Sequence, residues 1–160
     1  MKRMLFVLVT VALAAIPVLA QKSTIQGVWR VAEVTTTGTD GSTNKAPQPS
    51  LYIFTKKHYS IIFVASDSPR AVLSDVDKAT ADELRTVFVE SFVANAGTYE
   101  LKAGKVTVRP MVAKSPSYMQ PGTYSTSSVK IAGNTMTMIG ESSNSGAATN
   151  PTTMKLVRVE

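Results

Sequence analysis

The sequence predicts an all-β fold, an eight-stranded antiparallel barrel with one helix, and three observations carry this prediction. Short segments rich in Val, Ile, Thr, Tyr and Phe recur between Gly, Asn, Pro and Ser, a pattern typical of antiparallel strands. Several of these segments are only a few residues apart, as in β-hairpins. Eight short strands leave no unpaired edge strand if they close into a barrel. This favours a barrel over the main alternative, a two-sheet sandwich.

The strands follow from the positions of these segments. Eight are predicted, at residues 25–36, 51–55, 59–65, 98–102, 105–112, 122–131, 135–141 and 152–159. Lys56-Lys57, Ala103-Gly104 and Gly133-Asn134 separate pairs of strands, and Gly and Asn favour the positive φ that tight hairpins require. Two longer polar segments, 38–49 and 142–151, are predicted to be loops.

One segment has a different periodicity and predicts a helix over residues 80–96, between the third and fourth strands. Its apolar residues form one stripe at i, i+3, i+4 and i+8, namely Leu84, Val87, Phe88 and Phe92. Thr80 and Glu83 have the spacing of a capping box. Alternation over residues 87–93 would also suit a strand, but the caps and the length favour the helix.

The amino terminus has the layout of a secretory signal peptide over residues 1–20. Lys2 and Arg3 precede an apolar run over residues 4–19, and the small residue Ala20 follows at the expected cleavage site. The run is shorter than the roughly 20 residues that span a bilayer, which argues against a permanent anchor. We therefore expect an exported protein, periplasmic or secreted, with a single domain at 21–160 and no stable membrane span after cleavage.

Composition excludes several classes of site. The chain has no cysteine and one histidine, so neither a disulfide framework nor the usual Cys and His zinc sets can form, and no metal or cofactor is predicted. Without Lys2 and Arg3, fifteen basic residues face eleven acidic ones, a net charge of +4. The lysines are scattered over predicted turns and strand ends, which predicts solubility rather than a nucleic-acid surface. Common catalytic motifs are absent as well.

Several segments, in order, resemble the bacterial lipocalin-like domain proteins and, more distantly, the lipocalins. "GVWRVAEV" is similar to their Gly-x-Trp opening, and "PSLYIFTKKHYSI", "GTYELKAGKVTV", "GNTMTMIG" and "MKLVRVE" follow in the expected order. The resemblance implies an up-and-down antiparallel barrel in which Trp29 plugs one end and Arg158 lies across its ring, closing the barrel. The Thr-Asp-Tyr loop signature of the longer lipocalins is absent.

Period-two alternation from Trp29 and Arg158 predicts which side chains face the interior. In the third strand, the set of Tyr59, Ile61 and Phe63 competes with that of His58, Ile62 and Val64, and the aromatic set is favoured because rings fill a barrel mouth well. In the seventh strand the methionines are favoured, because they suit an adaptable apolar lining. The predicted ligand-binding residues are Trp29, Val31, Glu33, Tyr59, Phe63, Tyr99, Tyr124, Met136, Met138 and Leu156.

The leading functional hypothesis is a binding protein that holds a small apolar molecule in the barrel. A second hypothesis is a barrel enzyme of the cyclase or isomerase type, with Glu33 as base and Tyr59, Tyr99 or Tyr124 as its partner. A third is an interaction module of the cell envelope whose barrel is fully packed. Cavity volume separates the first hypothesis from the third.

Overall fold

The computed structural model describes residues 24–39 and 41–160, and these residues form a closed antiparallel barrel. The predicted signal peptide, residues 1–20, lies outside the described residues. Ten strands are present: β1 (Gly27–Thr36), β2 (Ser42–Asn44), β3 (Ser50–Phe54), β4 (His58–Val64), β5 (Phe92–Lys102), β6 (Lys105–Ala113), β7 (Ser125–Ala132), β8 (Thr135–Ser143), β9 (Gly146–Ala147) and β10 (Thr152–Arg158).

Eight of these strands form the barrel wall. They pair in the order β1, β3, β4, β5, β6, β7, β8 and β10, and β10 pairs with both β8 and β1, so the sheet closes on itself. Each pairing is antiparallel, and each strand neighbours the next barrel strand along the chain. The predicted all-β, eight-stranded barrel is confirmed, and the two-sheet sandwich is wrong because the ring has no open edge.

Two short strands lie outside this ring. β2 adds to β1 through Val34 to Thr36, and β9 adds to β8 through Ser142 and Ser143. Both lie in segments that the sequence predicts as loops. Because β2 precedes β3, the helical segment lies between the fourth and fifth strands of the chain, not between the third and fourth as predicted.

The helical segment is shorter than predicted. Helix α1 (Ala81–Leu84) begins with the predicted capping box, in which the Thr80 side chain accepts from the Glu83 backbone N–H and the Glu83 carboxylate accepts from the Thr80 N–H. A π-helical turn, Arg85–Glu90, follows. Residues 92–96 are not helical, because they pair with β4 from Val64 to Ser60 and complete the barrel wall. Ring closure therefore overrides the local helical periodicity.

A β-bulge where β5 meets β6 explains two residues that are unusual inside strands. Pairing shifts register between Ala96 and Gly97, opposite Pro110 and Val112. A Cβ atom at Gly97 would collide with the Arg109 carbonyl, so glycine is required at this close approach. Pro110 is tolerated because the bulge interrupts the ladder.

The core fills one end of the barrel. Its fully buried side chains include Trp29, Phe54, Met136 and Leu156, each 2% exposed or less. We call this the closed end; the β3–β4, β5–β6 and β7–β8 hairpins and both described termini lie there. The longer connections lie at the other end, the mouth. No helix within residues 24–39 and 41–160 is long and apolar enough to cross a lipid bilayer.

Candidate functional site

The barrel contains a cavity of about 590 Å³ between its closed end and its mouth. Inward-facing residues of the eight barrel strands form its walls, and residues of the mouth loops form its rim. The strand residues are Val31, Val34, Thr36, Tyr52, Ile61, Phe63, Val64, Val93, Asn95, Val106, Val108, Pro110, Ser125, Ser127, Met138, Thr152 and Met154. The rim residues are Ser42, Asn44, Pro47, Gln48, Ala65, Ser66, Asp67 and Tyr118.

Trp29 closes the barrel below this cavity. Its side chain is fully buried, and its indole Nε1 donates to the Ile25 carbonyl oxygen at 2.9 Å. The indole therefore removes a large apolar surface from water while its polar N–H stays satisfied. This end of the barrel excludes solvent.

Arg158 covers the outer face of the Trp29 ring. The guanidinium carbon lies 4.0 Å from the ring centroid, and Arg158 is the cross-strand partner of Trp29. Nη1 donates to the Gln26 carbonyl and Nη2 to the Thr24 carbonyl, both at 2.7 Å. The predicted stacking of Arg158 on Trp29 is confirmed, and it joins the first and last strands of the barrel.

The position of Arg158 also explains Gly27, two residues before the tryptophan. Gly27 has a φ of 132°, and a Cβ atom there would collide with the Arg158 guanidinium and the Glu160 carbonyl. A side chain at position 27 would therefore displace the arginine from the indole. The Gly-x-Trp spacing has a direct steric cause in this chain.

Small side chains on neighbouring strands leave the cavity hollow. Val106 pairs with Ser127 across β6 and β7, and Val108 pairs with Ser125. All four line the cavity. Serine and valine fill much less volume than the methionine, leucine and tryptophan of the closed end, so the barrel centre stays open on this side.

Two tyrosine hydroxyls bring polar groups to the base and wall of the cavity. Tyr52 Oη donates to Met154 Sδ at 3.3 Å, and Tyr59 Oη donates to Asn95 Oδ1 at 2.8 Å. Burial raises the pKa of Tyr59 to about 12, and burial also raises the pKa of Tyr52. Both phenols are therefore neutral hydrogen-bonding groups at physiological pH.

A network of polar side chains joins two loops at the mouth. Asn44 Nδ2 donates to Asp67 Oδ1 at 3.2 Å, and Gln48 Nε2 donates to the Asp67 carbonyl at 3.5 Å. Asp67 is the single charged residue among the described residues that line the cavity. It is exposed, so its charge is solvated at the mouth rather than buried among the apolar walls.

Two cations hold the segment between β4 and β5 against the barrel beside the mouth. The Arg70 guanidinium lies 4.6 Å from the Phe92 ring centroid and donates twice to the Val87 carbonyl, at 2.9 and 3.1 Å. Lys114 Nζ donates to the carbonyls of Val89 and Phe92 and lies 6.0 Å from the same ring. Phe92 begins β5, so these contacts fix the strand that supplies Val93 and Asn95 to the cavity.

Seven of the ten predicted ligand-binding residues lie in or below the cavity, and they form three groups. Val31, Phe63 and Met138 line the cavity. Trp29, Met136 and Leu156 face the interior as predicted, but they are part of the packed closed end. Tyr59 is buried below the cavity and reaches it through its bond to Asn95.

Glu33 does not face the interior, and the prediction that it does is wrong. A bulge at Ala32 shifts the pairing of β1 with β10, so Glu33 pairs with Lys155 and Val34 pairs with Met154. Directly paired residues share a face of the sheet, and Lys155 is exposed whereas Met154 lines the cavity. One extra residue therefore turns Glu33 to the outer face and Val34 inward.

Tyr99 and Tyr124 also lie away from the cavity. Tyr99 packs edge-on against Phe54 at the closed end, with 5.3 Å between ring centroids, and its hydroxyl donates to the Thr55 carbonyl. Tyr124 precedes β7, which begins at Ser125 rather than at residue 122 as predicted. The cavity lining includes Ser125, the first residue of β7, but not Tyr124.

Several cavity residues are absent from the predicted set. Tyr52 alternates with Phe54 in a strand that pairs with β1, and this alternation is a usable signal. Asn95 falls in the segment that the sequence predicts as a helix. Val34 follows the bulge at Ala32, for which the sequence has no distinct signal.

Comparisons with protein-family models, with curated proteins and with solved structures find no match to this chain.

Proposed function

We propose that this chain is an exported protein that binds a small, mainly apolar molecule inside its barrel. The observation that carries the proposal is the cavity of about 590 Å³ within the barrel. This volume falls within the range of roughly 300 to 1,000 Å³ that is typical of small-molecule sites. A barrel with a packed interior would have no such space.

We further propose that the chain is lipocalin-like. The barrel strands neighbour one another in chain order, which is the arrangement of an up-and-down barrel. Gly27, Trp29 and Arg158 form the closed end that the resemblance implies. The support comes from this arrangement together with the order of the motifs.

The lining indicates the chemistry of the ligand. Valine, isoleucine, phenylalanine and methionine side chains form most of the wall, and the groups offered by Asn95, Ser125 and Ser127 are neutral. No lysine or arginine is among the described residues of the lining, so nothing there compensates the charge of a carboxylate or phosphate taken inside. We expect a neutral ligand with an apolar body and a few hydrogen-bonding groups.

The two alternative functions have less support. A barrel enzyme would lose its proposed base, because Glu33 pairs with Lys155 on the outer face. A packed interaction module would not require the cavity. The placement of Glu33 and the size of the cavity therefore both favour binding.

A pair of adjacent substitutions tests the proposal. Ile61 lines the cavity, whereas Ile62 is 41% exposed on the outer face of the same strand. Ile61→Trp fills part of the cavity, and Ile62→Trp adds the same bulk outside. Titration with the apolar fluorescent probe N-phenyl-1-naphthylamine measures the dissociation constant of each variant.

We expect Ile61→Trp to weaken probe binding by about tenfold or more, since lost cavity volume removes contacts worth roughly 1.4 kcal/mol. Ile62→Trp should bind the probe as the parent protein does, with both variants checked for folding by circular dichroism. Equal affinities in all three proteins would contradict binding in the cavity. Native mass spectrometry of the purified protein identifies any ligand that it retains.

A further inference from the structure

Charge is distributed unequally between the two ends of the barrel. Residues 67–90, which connect β4 to β5 at the mouth, include six acidic and three basic residues, a net charge of −3. The predicted mature chain, residues 21–160, has fifteen basic and eleven acidic residues, a net charge of +4. The positive charge therefore lies elsewhere on the molecule.

Five exposed lysines lie on the three hairpins of the closed end. Lys56 and Lys57 lie between β3 and β4, Lys102 and Lys105 flank the turn between β5 and β6, and Lys130 lies near the end of β7. We call these five residues the basic rim. They are far apart in sequence, and the alternating direction of the strands places them at one end of the barrel.

Backbone hydrogen bonds connect the hairpins that form the basic rim. The Tyr99 backbone N–H donates to the Lys57 carbonyl at 3.2 Å, which joins the first hairpin to β5. The Val129 N–H donates to the Gly104 carbonyl at 2.7 Å, which joins the second hairpin to β7. The lysines thus project from one connected edge rather than from independent loops.

The closed end also includes the exposed acidic residues Glu100 and Glu160, but most lysines of the basic rim form no ion pair among the described residues. Lys105 forms an ion pair with Glu141 at 2.6 Å. The other four lysines of the basic rim form no ion pair within residues 24–39 and 41–160. Two exposed apolar side chains, Leu101 at 45% and Val159 at 55%, lie at the same end.

The chain also enters the described structure at this end. The Thr24 carbonyl accepts from Arg158 Nη2 beside the covered indole. In the sequence, Thr24 follows the segment with Lys2, Arg3 and the apolar run of residues 4–19. Before the predicted signal peptide is removed, this membrane-directed segment is therefore joined to the barrel at its basic end.

We propose that the closed end is a docking surface for an anionic lipid bilayer. The basic rim would lie against the headgroups, with Leu101 and Val159 at the interface, and the mouth would face the aqueous phase. A row of lysines held together is attracted to an anionic bilayer, and the acidic segment at the mouth is repelled by it, so both ends favour the same orientation. This proposal does not depend on what the cavity binds.

Flotation with lipid vesicles tests the docking surface. Intact-mass spectrometry first identifies the amino-terminal residue of the purified protein. The protein is then mixed with vesicles of phosphatidylcholine alone or of equal parts phosphatidylcholine and phosphatidylglycerol. We expect binding to the anionic vesicles only, and we expect added salt to reverse it. The double variant Lys56→Gln/Lys57→Gln should bind about 25-fold more weakly, because each lysine at an anionic surface contributes roughly fivefold.

A control at the other end separates position from net charge. Lys45→Gln/Lys78→Gln removes the same charge from exposed residues at the mouth, and it should change vesicle binding by less than about twofold. Equal weakening by the two double variants would overturn the proposal in favour of a nonspecific charge effect. Binding to neutral vesicles that resists salt would overturn it in favour of apolar insertion, and no binding to anionic vesicles would overturn it outright.

Discussion

The closed end and the cavity end of this barrel are built from the same strands but differ in what their interiors contain. At the closed end, Trp29, Phe54, Met136 and Leu156 pack with almost no exposure to solvent. Nearer the mouth, valines and serines take the corresponding inward positions and enclose a cavity. The backbone pattern continues through both regions, so side-chain volume decides which part of the barrel is filled.

The two ends also differ in the interactions that stabilise the fold. The closed end joins the first and last strands through the stacked pair of Trp29 and Arg158 and through hydrogen bonds to Thr24 and Gln26. The cavity end makes fewer interior contacts, because its side chains face open space. We therefore expect stability to depend chiefly on the closed end and ligand affinity on the cavity end.

The largest expected effect is that of Trp29→Ala. Deleting a fully buried indole should lower the free energy of unfolding by about 3 to 5 kcal/mol, because the transfer of the ring from water and its packing are both lost. Val34→Ala, on the same strand but beside the cavity, should lower it by about 1 kcal/mol, since the site is already hollow. Urea titration followed by circular dichroism measures both values, and losses of equal size would remove the distinction between the two ends.

Arg158→Ala should have a smaller effect at the same end. The lost stacking and the two lost hydrogen bonds should lower the free energy of unfolding by about 1 to 3 kcal/mol. Lys155→Ala, an exposed residue of the same strand, should change it by less than about 0.5 kcal/mol. Arg158→Lys should recover only part of the loss, because one ammonium group cannot reproduce the planar fork over the indole. Identical melting temperatures for the two alanine variants would contradict the role of Arg158.

The smallest expected effect is that of Tyr59→Phe, at the boundary between the two regions. Loss of the hydrogen bond to Asn95 should lower the free energy of unfolding by about 1 kcal/mol at neutral pH. Because burial raises the pKa of Tyr59 from 10.0 to about 12, the neutral phenol stabilises the fold fully below pH 10. This stabilisation is lost as the pH rises through about 12.

The free energy of unfolding of the parent protein should therefore fall between pH 10 and 12, and that of Tyr59→Phe should fall less steeply. Denaturant titrations across this range, with tyrosinate absorbance recorded alongside, measure the difference. Parallel pH profiles in the two proteins would show that Tyr59 does not titrate with unfolding.

The sequence predicts the closed end better than it predicts the cavity. Gly27, Trp29 and Arg158 lie in recognisable segments near the two ends of the barrel chain, and antiparallel closure brings them together. Alternation correctly turns Met136, Met138 and Leu156 inward. Alternation predicts the face on which a side chain lies but not its position along the barrel axis. Residues packed at the closed end and residues that line the cavity therefore have the same sequence pattern.

The remaining errors have local causes. A single bulge at Ala32 exchanges the directions of Glu33 and Val34, and bulges depend on how neighbouring strands fit rather than on a residue pattern. Residues 92–96 have both helical and strand periodicity, and only pairing with β4 decides between them. Asn95 is absent from the predicted site for this reason, because the inward and outward faces of a segment cannot be predicted when its secondary structure is assigned wrongly.

The meeting of Thr24 and Glu160 at one end of the molecule has a practical consequence. The Arg158 guanidinium donates to the Thr24 carbonyl at 2.7 Å and to the Glu160 carbonyl at 3.4 Å, so the two described termini lie close together. A purification tag or fused reporter joined at Thr24 or Glu160 would therefore begin at the closed end, away from the opening of the barrel. A short linker could join the two termini, and a circular permutant could then begin within the loop between β8 and β10.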